Sequence, residues 1–359
     1  MNNPADYRKG ARESVIGAEL MYSGQKVIDI HGHLSTPAQF EVFGFNLIIG
    51  TPTAFEQFRM PDEVLETAAS RHVKVLDERS IDLQFLSARP FAMLHWERPY
   101  VVEHWTRTTN DLIQQTCRLY PQRFRGIAGL PQRPDMDTTS CIPELDRCIN
   151  ELGFVGALLD PDPGGDGRSP KLDSDYWFPL YRRAEELNAT LLVHGSAPRG
   201  DHRIVHGYDG TGDPQMDRQF YFMTEQTLAT MVLERGVVFE RFPRLRILVV
   251  HCGGAPSRFV PGTARLKPRV DVDDNLFFDT CAYDRWFLLA ALKQRGAGRM
   301  LFGTEAPGAG TNVVNPETGR PSDDLVPLID SYDFLTVQDK LDIFHHNPKR
   351  VFPLLKRLM

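Results

Sequence analysis

Two histidines separated by one residue could together hold a metal ion. His31 and His33 follow the apolar run Val27–Ile30, which is typical of a buried strand. Because side chains alternate between the two faces of a strand, the imidazoles of His31 and His33 project from the same face. Two such imidazoles can chelate a divalent ion, and Gly32 between them leaves room for it. Two unrelated surface histidines would give the same pattern, so the interpretation depends on the other strands.

Three further residues with metal-binding or acid–base side chains lie near the ends of later apolar runs. They are His194, His251 and Glu305. Histidines and a carboxylate that meet at one edge of a sheet can bind zinc or manganese and leave one position open for water or substrate. Arg89 also follows an apolar run, where its guanidinium could bind a substrate carboxylate or form an ordinary salt bridge.

The elements that would position these residues are eight apolar runs separated by helical patterns. Two of the helical patterns are Pro143–Leu152 and Asp175–Leu187, in which apolar residues recur every three or four positions. Short strands that alternate with helices predict an α/β fold, a (β/α)8 TIM barrel, whose functional groups lie at the carboxyl ends of the strands. The predicted strands lie within Val27–His33, Asp82–Ala88, Phe124–Leu130, Phe154–Asp160, Ala189–Gly195, Arg246–Gly253, Leu276–Ala282 and Arg299–Glu305.

The composition is typical of a globular protein that binds neither nucleic acid nor membrane. Of the 359 residues 42% are hydrophobic and 25% charged, and the formal net charge is -6. A negative net charge disfavours nucleic acids and anionic membranes as partners. Five cysteines without a Cys-x-x-Cys pair, and a start without a signal-peptide pattern, predict a cytoplasmic location. We expect a barrel domain at residues 27–359 after an N-terminal extension at residues 1–26.

The segment between His33 and about Ser80 is rich in phenylalanine, glycine and proline, and we predict a long ordered loop there. Such a loop could cover a pocket or form a contact between subunits. Its phenylalanines are Phe40, Phe43, Phe45, Phe55 and Phe58.

The motifs at the strand ends resemble those of the amidohydrolase superfamily. The resemblance rests on His-x-His after the first strand, a histidine after the fifth, His251-Cys252-Gly253-Gly254 after the sixth and Phe302-Gly303-Thr304-Glu305 after the eighth. It extends from about Val27 to Phe352 and is strongest to the branch of 2-amino-3-carboxymuconate-semialdehyde decarboxylase.

A glutamate after the eighth strand reduces the number of enzymes in this branch that the chain resembles, because most of the branch has an aspartate there. Glu305 resembles the residue found in two kinds of enzyme from bacterial breakdown of lignin-derived aromatic compounds. One kind is the 4-oxalomesaconate hydratase, and the other is a hydrolase that cleaves a carbon–carbon bond of meta-cleavage products. The segments Ala88–Phe91, Ala128–Gln132 and Asp333–Leu335 are more similar to the hydrolase.

The resemblance implies roles for the residues of the site. One divalent ion, zinc or alternatively manganese, would be held by His31, His33, His194 and Glu305. His251 and Glu305 would then be the catalytic residues that move protons or polarise a carbonyl group of the substrate.

Substrate binding is assigned to Arg89 and to a tyrosine. The loop Ser196–Gln219 is rich in glycine and hydrogen-bonding side chains, which is typical of a loop that determines specificity. Tyr208 in this loop, or Tyr221 just after it, could donate a hydrogen bond to a substrate oxyanion.

The main functional prediction is a metal-dependent hydrolase that cleaves a carbon–carbon bond of a ring-opened 2-hydroxy-6-oxo-dienoate. Two alternatives use the same scaffold, namely a hydratase of an oxo-muconate-type acid and a non-oxidative decarboxylase. A non-catalytic binding barrel is the alternative from another class. We expect a small anionic substrate and a homo-oligomer, a dimer or larger.

Overall fold

The computed structural model describes residues 22–50, 58–196, 214–256 and 270–357. Eight parallel strands form one sheet, and their order in the sheet is their order in the chain. Each of the eight predicted runs contains one strand, so the prediction of an α/β barrel is confirmed. The strands are β1 Ile28–His33, β2 Leu83–Ser87, β3 Phe124–Ala128, β4 Gly156–Leu159, β5 Thr190–Val193, β6 Ile247–Val249, β7 Leu276–Asp279 and β8 Met300–Leu301.

Helices connect the successive strands everywhere except between β6 and β7, where residues 257–269 lie outside the described part of the chain. Every residue of β1 is buried, as expected for a parallel strand with side chains on one face in the barrel and on the other under helices. The helices are α1 Ala38–Ile49, α2 Asp62–Glu78, α3 Pro99–Leu119, α4 Ile142–Asn150, α5 Phe178–Leu187, α6 Pro214–Leu233, α7 Val237–Arg241, α8 Arg285–Arg295, α9 Leu325–Asp330, α10 Val337–Leu341 and α11 Asn347–Val351.

The sheet closes between its first and last strands. The backbone N–H of Ile30 in β1 donates to the carbonyl oxygen of Phe302, directly after β8, at 2.9 Å. A closed parallel barrel brings the carboxyl ends of all its strands together at one mouth. The residues that follow the strands therefore share one site.

The long loop predicted between His33 and Ser80 is wrong, because α1 and α2 occupy most of this segment. Pro37 and Pro61 directly precede these helices, where a proline costs no helical hydrogen bond. Phe40 of α1 stacks on Trp105 of α3, with ring centroids 4.2 Å apart.

Three phenylalanines of this segment pack against the barrel core, which argues against a lid, whereas the role as a subunit contact stays a prediction. Phe40 and Phe43 are buried in the core, and Phe58 stacks on Phe43 with ring centroids 4.4 Å apart. Phe45 is 63% exposed on α1, and Phe55 lies outside the described residues. Most of the aromatic rings therefore fix α1 to the barrel instead of forming a pocket.

The N-terminal extension stays a prediction, because residues 1–21 lie outside the described part of the chain. Its last residues form a short turn in which Tyr22 and Gln25 exchange two backbone hydrogen bonds. Among the described helices, none has both the length and the apolar character that crossing a lipid bilayer requires.

Candidate metal centre

Four histidines and one carboxylate meet at the mouth of the barrel. The measured distances between the imidazole centroids run from 5.0 to 5.4 Å. His33 Nε2 lies 3.4 Å from Glu305 Oε1, and His251 Nε2 lies 3.3 Å from His194 Nε2. Ligand atoms of His31, His194, His251 and Glu305 all lie within 4.8 Å of one another. The structure thus brings together all five residues that the sequence assigns to metal binding and catalysis.

Hydrogen bonds fix the orientation of the histidines. His31 Nδ1 lies 2.7 Å from Asp279 Oδ2, and His194 Nδ1 lies 2.7 Å from the carbonyl oxygen of Gly195. A carbonyl oxygen only accepts, so His194 Nδ1 carries the proton. Burial raises the pKa of Asp279 to about 7, and its ionised form accepts from His31 Nδ1 and directs Nε2 of His31 to a metal. His33 Nδ1 lies 2.9 Å from Ser87 Oγ, a hydroxyl that can donate or accept and that also contacts the carbonyl oxygens of Gly32 and Ala88.

The open nitrogen atoms fit a bound metal ion. Nε2 of His31 and Nε2 of His33 are buried and, among the described residues, make no hydrogen bond of good geometry. Buried polar atoms without a partner are costly, and a cation between them would remove that cost. Imidazole nitrogens with one carboxylate are the ligands that zinc and manganese accept in proteins.

The electrostatics of the centre favour the protonation states that bind a metal. Burial, followed by the charge of His251, lowers the pKa of His31 and that of His194 well below the usual range. Burial opposes ionisation of Glu305, but the contact with His33 and the charges of His251, His33 and His31 prevail and lower its pKa well below the usual value. Neutral imidazoles and an anionic carboxylate are the metal-binding forms of these side chains.

Two residues of the centre have an unusual backbone conformation. His251 has φ 50° and Glu305 has φ 61°, both in the left-handed region that side chains with a Cβ rarely adopt. The backbone N–H of Glu305 donates to the carbonyl oxygen of His31 at 2.8 Å, which stabilises the turn after β8. This turn directs the carboxylate toward the histidines.

Gly32 has a different role from the one predicted. A Cβ at this position would lie 2.2 Å from Cδ of Gln84, so the glycine leaves room for Gln84 and not for the ion. The amide nitrogen of Gln84 donates to Asp29 Oδ2 at 2.8 Å and to the carbonyl oxygen of Ala306 at 2.7 Å. Gln84 therefore joins β1 and β2 to the turn that carries Glu305.

Arg89 lies close to the metal centre at the start of the short helix Pro90–Ala92. Burial lowers the pKa of His72 to about 4, and the charge of Arg89 adds to this shift. In the described part of the chain, no carboxylate forms an ion pair with the half-buried Arg89. Its guanidinium is therefore available to an anionic substrate.

A small cavity lies beside Arg89 at the ends of β2, β3 and β4. It is lined by Pro90, Met93, His95, Leu130, Gln132, Leu158 and Asp160. Within it, His95 Nδ1 lies 2.9 Å from Asp160 Oδ2. Its volume of about 10 Å³ has room for about one water molecule.

Of the two tyrosines predicted to bind substrate, only Tyr221 lies within the described residues. Tyr221 is buried, and its hydroxyl donates to the carboxylate of Asp162. Tyr208 lies outside the described residues, as does most of the predicted specificity loop. Both assignments stay predictions, and Tyr221 would need to give up its bond to Asp162 before it could donate to a substrate.

Sequence reasoning missed the residues that orient the metal ligands. Asp279, Ser87 and Tyr283 each contact a predicted ligand. Asp279 could have been noticed in the sequence, because an acidic residue at the end of an apolar run is a candidate functional residue. Ser87 and Tyr283 have no comparable signal in one sequence.

Comparison with known protein families identifies the family to which this chain belongs. A family model described as amidohydrolase matches residues 28–354. The chain belongs to the amidohydrolase family. It is therefore an enzyme, as predicted, and the alternative of a non-catalytic binding barrel is not retained. Amidohydrolases of this family use a divalent metal ion, in agreement with the ligands found at the mouth of the barrel.

Several amidohydrolases resemble this chain over most of its length. A 2-keto-4-carboxy-3-hexenedioate hydratase of a Sphingobium species is 35% identical over 305 residues, which cover 82% of this chain and 85% of that protein. A gamma-resorcylate decarboxylase of Rhodococcus jostii is 31% identical and covers 66% of this chain and 76% of its own. The crystal structure of 4-oxalomesaconate hydratase from Rhodopseudomonas palustris is 29% identical, with a TM-score of 0.76, and covers 92% of this chain and 97% of its own.

Proposed function

We propose that this amidohydrolase is a hydratase, which adds water across the carbon–carbon double bond of a small 2-oxo acid with several carboxylates. The observation that carries the proposal is the 35% identity over 82% of the chain to a 2-keto-4-carboxy-3-hexenedioate hydratase. The decarboxylase from Rhodococcus jostii is less similar and covers less of the chain. These relatives favour the hydratase over the carbon–carbon hydrolase that the sequence motifs favoured, since those motifs are only a few residues long.

The arrangement of side chains suits the addition of water to a conjugated double bond. A divalent ion, when bound, would supply Lewis-acid activation of a water molecule or of a substrate carbonyl group. We propose that His31, His33, His194 and Glu305 would hold it, with His33 Nε2 3.4 Å from the carboxylate. Ligand atoms of His251 also lie within 4.8 Å of those of His31, His194 and Glu305, so His251 is the alternative ligand to His33. Glu305 is anionic and 17% exposed, so its carboxylate can accept a proton from the water.

His251 and Arg89 complete the proposed reaction. His251 is partly exposed at the mouth of the barrel, so its imidazole can deliver a proton to the substrate carbon next to the carbonyl group. The hydroxyl group joins the other carbon of the double bond, and nothing leaves. Arg89 would hold a carboxylate of the substrate through two parallel hydrogen bonds.

The substrate of the Sphingobium relative provides the first experimental test. With 2-keto-4-carboxy-3-hexenedioate, we expect proton NMR to show loss of the vinylic resonance without release of carbon dioxide. Release of carbon dioxide would identify a decarboxylase and contradict the proposal. His251→Asn should slow the reaction about 10²- to 10⁴-fold. His346→Asn is the matched control and should leave the rate unchanged, because His346 is exposed and far from the mouth of the barrel. Its neighbour His345 contacts the carbonyl oxygen of Lys26, which precedes β1 at the opposite end of the barrel.

We propose zinc as the metal, because three histidines and one carboxylate are typical of zinc sites. Manganese is the alternative, and a dihydroxybenzoic acid decarboxylase from Polaromonas, 21% identical with a TM-score of 0.63, has bound manganese in its crystal structure. After chelation, zinc is expected to restore a higher kcat/KM than manganese does. Restoration by manganese alone would contradict the assignment.

A further inference from the structure

Tyr283 contacts the carboxylate of Glu305 from the loop after β7. Its hydroxyl oxygen lies 3.2 Å from Glu305 Oε2 and 3.5 Å from the carbonyl oxygen of Thr304. A carboxylate and a carbonyl oxygen only accept, so the tyrosine hydroxyl is the donor. The other carboxylate oxygen, Oε1, lies 3.4 Å from His33 Nε2. The two oxygens of Glu305 therefore have different partners.

Packing from outside the metal ligands holds the tyrosine ring in place. A Cβ at Gly310 would lie 2.8 Å from Cζ of Tyr283, so the chain after Glu305 passes closely over the ring. The same Cβ would lie 3.0 Å from the backbone nitrogen of Asp323. Arg79 Nε donates to Asp323 Oδ1 at 2.7 Å, which joins this layer to the end of α2. The hydroxyl of Tyr283 is thus presented to Glu305 by a rigid support.

We propose that Tyr283 is a positioning residue that holds Glu305 Oε2, so that Oε1 faces the histidines and the metal ion. Without this hydrogen bond, the carboxylate can rotate away from the orientation that both metal binding and proton transfer require. Groups that orient metal ligands typically contribute about 10- to 100-fold to metal affinity or activity. The expected effect on kcat rests on the proposed hydratase function, whereas the effect on metal affinity does not.

Tyr283→Phe tests the proposal, because it keeps the ring against Gly310 and removes only the hydroxyl. We expect the affinity for Zn²⁺, measured by competition with a chelating dye in the metal-free enzyme, to fall about 10- to 100-fold. In the hydration assay, kcat should fall by a similar factor, while KM stays within about twofold since substrate contacts remain. The metal titration needs no substrate, so it tests the positioning role of Tyr283 even if the hydratase proposal fails.

Tyr332→Phe is the matched control. Tyr332 is a buried tyrosine whose hydroxyl donates to the carbonyl oxygen of Arg285 at 2.7 Å, so its variant also loses one hydrogen bond to the protein. Metal affinity and kcat should stay at the wild-type level in this variant. Melting temperatures of both variants separate a local effect from a loss of folding.

A double-mutant cycle with Glu305→Ala, which removes the acceptor of the Tyr283 hydroxyl, shows whether Tyr283 acts through Glu305. The loss of Zn²⁺ affinity caused by Tyr283→Phe should largely disappear when Glu305 is already replaced, because the two changes share one interaction. An equal loss in both backgrounds would overturn the proposal. Wild-type Zn²⁺ affinity in folded Tyr283→Phe would overturn it as well.

Discussion

Arg89, two residues after β2, is proposed to bind a substrate carboxylate. Arg89→Met should raise KM about 10- to 100-fold, because a hydrogen-bonded charge pair contributes about 1.5 to 3 kcal/mol. Metal content should not change, since Arg89 is not a ligand. Arg244→Met is the control, because this arginine is 72% exposed and precedes β6 at the opposite end of the barrel. Unchanged kinetics in Arg89→Met would remove its assigned role.

Asp279 keeps His31 in the tautomer that binds a metal. Asp279→Asn removes the negative charge that faces His31 Nδ1, so the affinity for Zn²⁺ should fall about 10- to 100-fold in a competition titration. Asp274→Asn provides the control, since Asp274 is 94% exposed just before β7. Equal affinities in the two variants would show that Asp279 does not support the metal centre.

The candidate metal ligands could be predicted from sequence, whereas the contacts that orient them could not. His31 and His33 stand two positions apart on one strand, so their common face follows from strand geometry alone. Asp279 contacts His31 across 248 positions of the chain, and only the closed barrel brings the two together. Ser87 and Tyr283 are polar residues of common types, and one sequence does not distinguish them from surface residues.

At the scale of elements, Gly32 links β1 to β2 by leaving space for Gln84. Gly32→Ala should lower the free energy of unfolding by about 1 to 3 kcal/mol, because the new methyl group would overlap the Gln84 side chain. Gly298→Ala is the matched control, since a Cβ there meets nothing within 4 Å. Urea denaturation measures both variants. Equal stability of the two would show that the contact relaxes without cost.

The strands were predictable because each is a short apolar run that ends in a polar or small residue. The helices α1 and α2 were missed for a physical reason. Pro37 and Pro61 suggested an irregular segment, yet they stand at helix starts, where proline is tolerated. The stacking of Phe40 on Trp105 then stabilises α1 through a contact that is distant in the sequence.

At the scale of the whole molecule, Glu225 makes stability depend on pH. Burial, followed by the charges of Asp162 and Asp160, raises its pKa from 4.5 to about 8. The folded protein therefore binds this proton more tightly than the unfolded chain does. The stabilisation is complete below about pH 4.5 and is lost as the pH rises to about 8, with a slope of at most about 1.4 kcal/mol per pH unit.

Glu225→Gln tests this linkage. Urea denaturation of the wild type and the variant at several pH values should show the wild type losing stability relative to the variant between about pH 4.5 and about pH 8. A constant difference across this range would show that Glu225 titrates alike in the folded and the unfolded protein.

The match to the amidohydrolase family and the candidate metal ligands do not separate the reactions that family members catalyse. Hydration, decarboxylation and carbon–carbon bond cleavage can all start from the same ligands. We propose that substrate contacts around Arg89 make the distinction. The predicted specificity loop stays a prediction, because residues 197–213 lie outside the described part of the chain. The homo-oligomer expected from the sequence also stays a prediction.

Mass spectrometry of the reaction in ¹⁸O-labelled water tests the central claim most directly. Zinc-loaded enzyme and 2-keto-4-carboxy-3-hexenedioate should give one intact product, heavier than the substrate by one labelled water. Two fragments with a summed mass of substrate plus water would instead identify a carbon–carbon hydrolase. A product lighter by carbon dioxide would identify a decarboxylase, and either result would contradict the assignment as a hydratase.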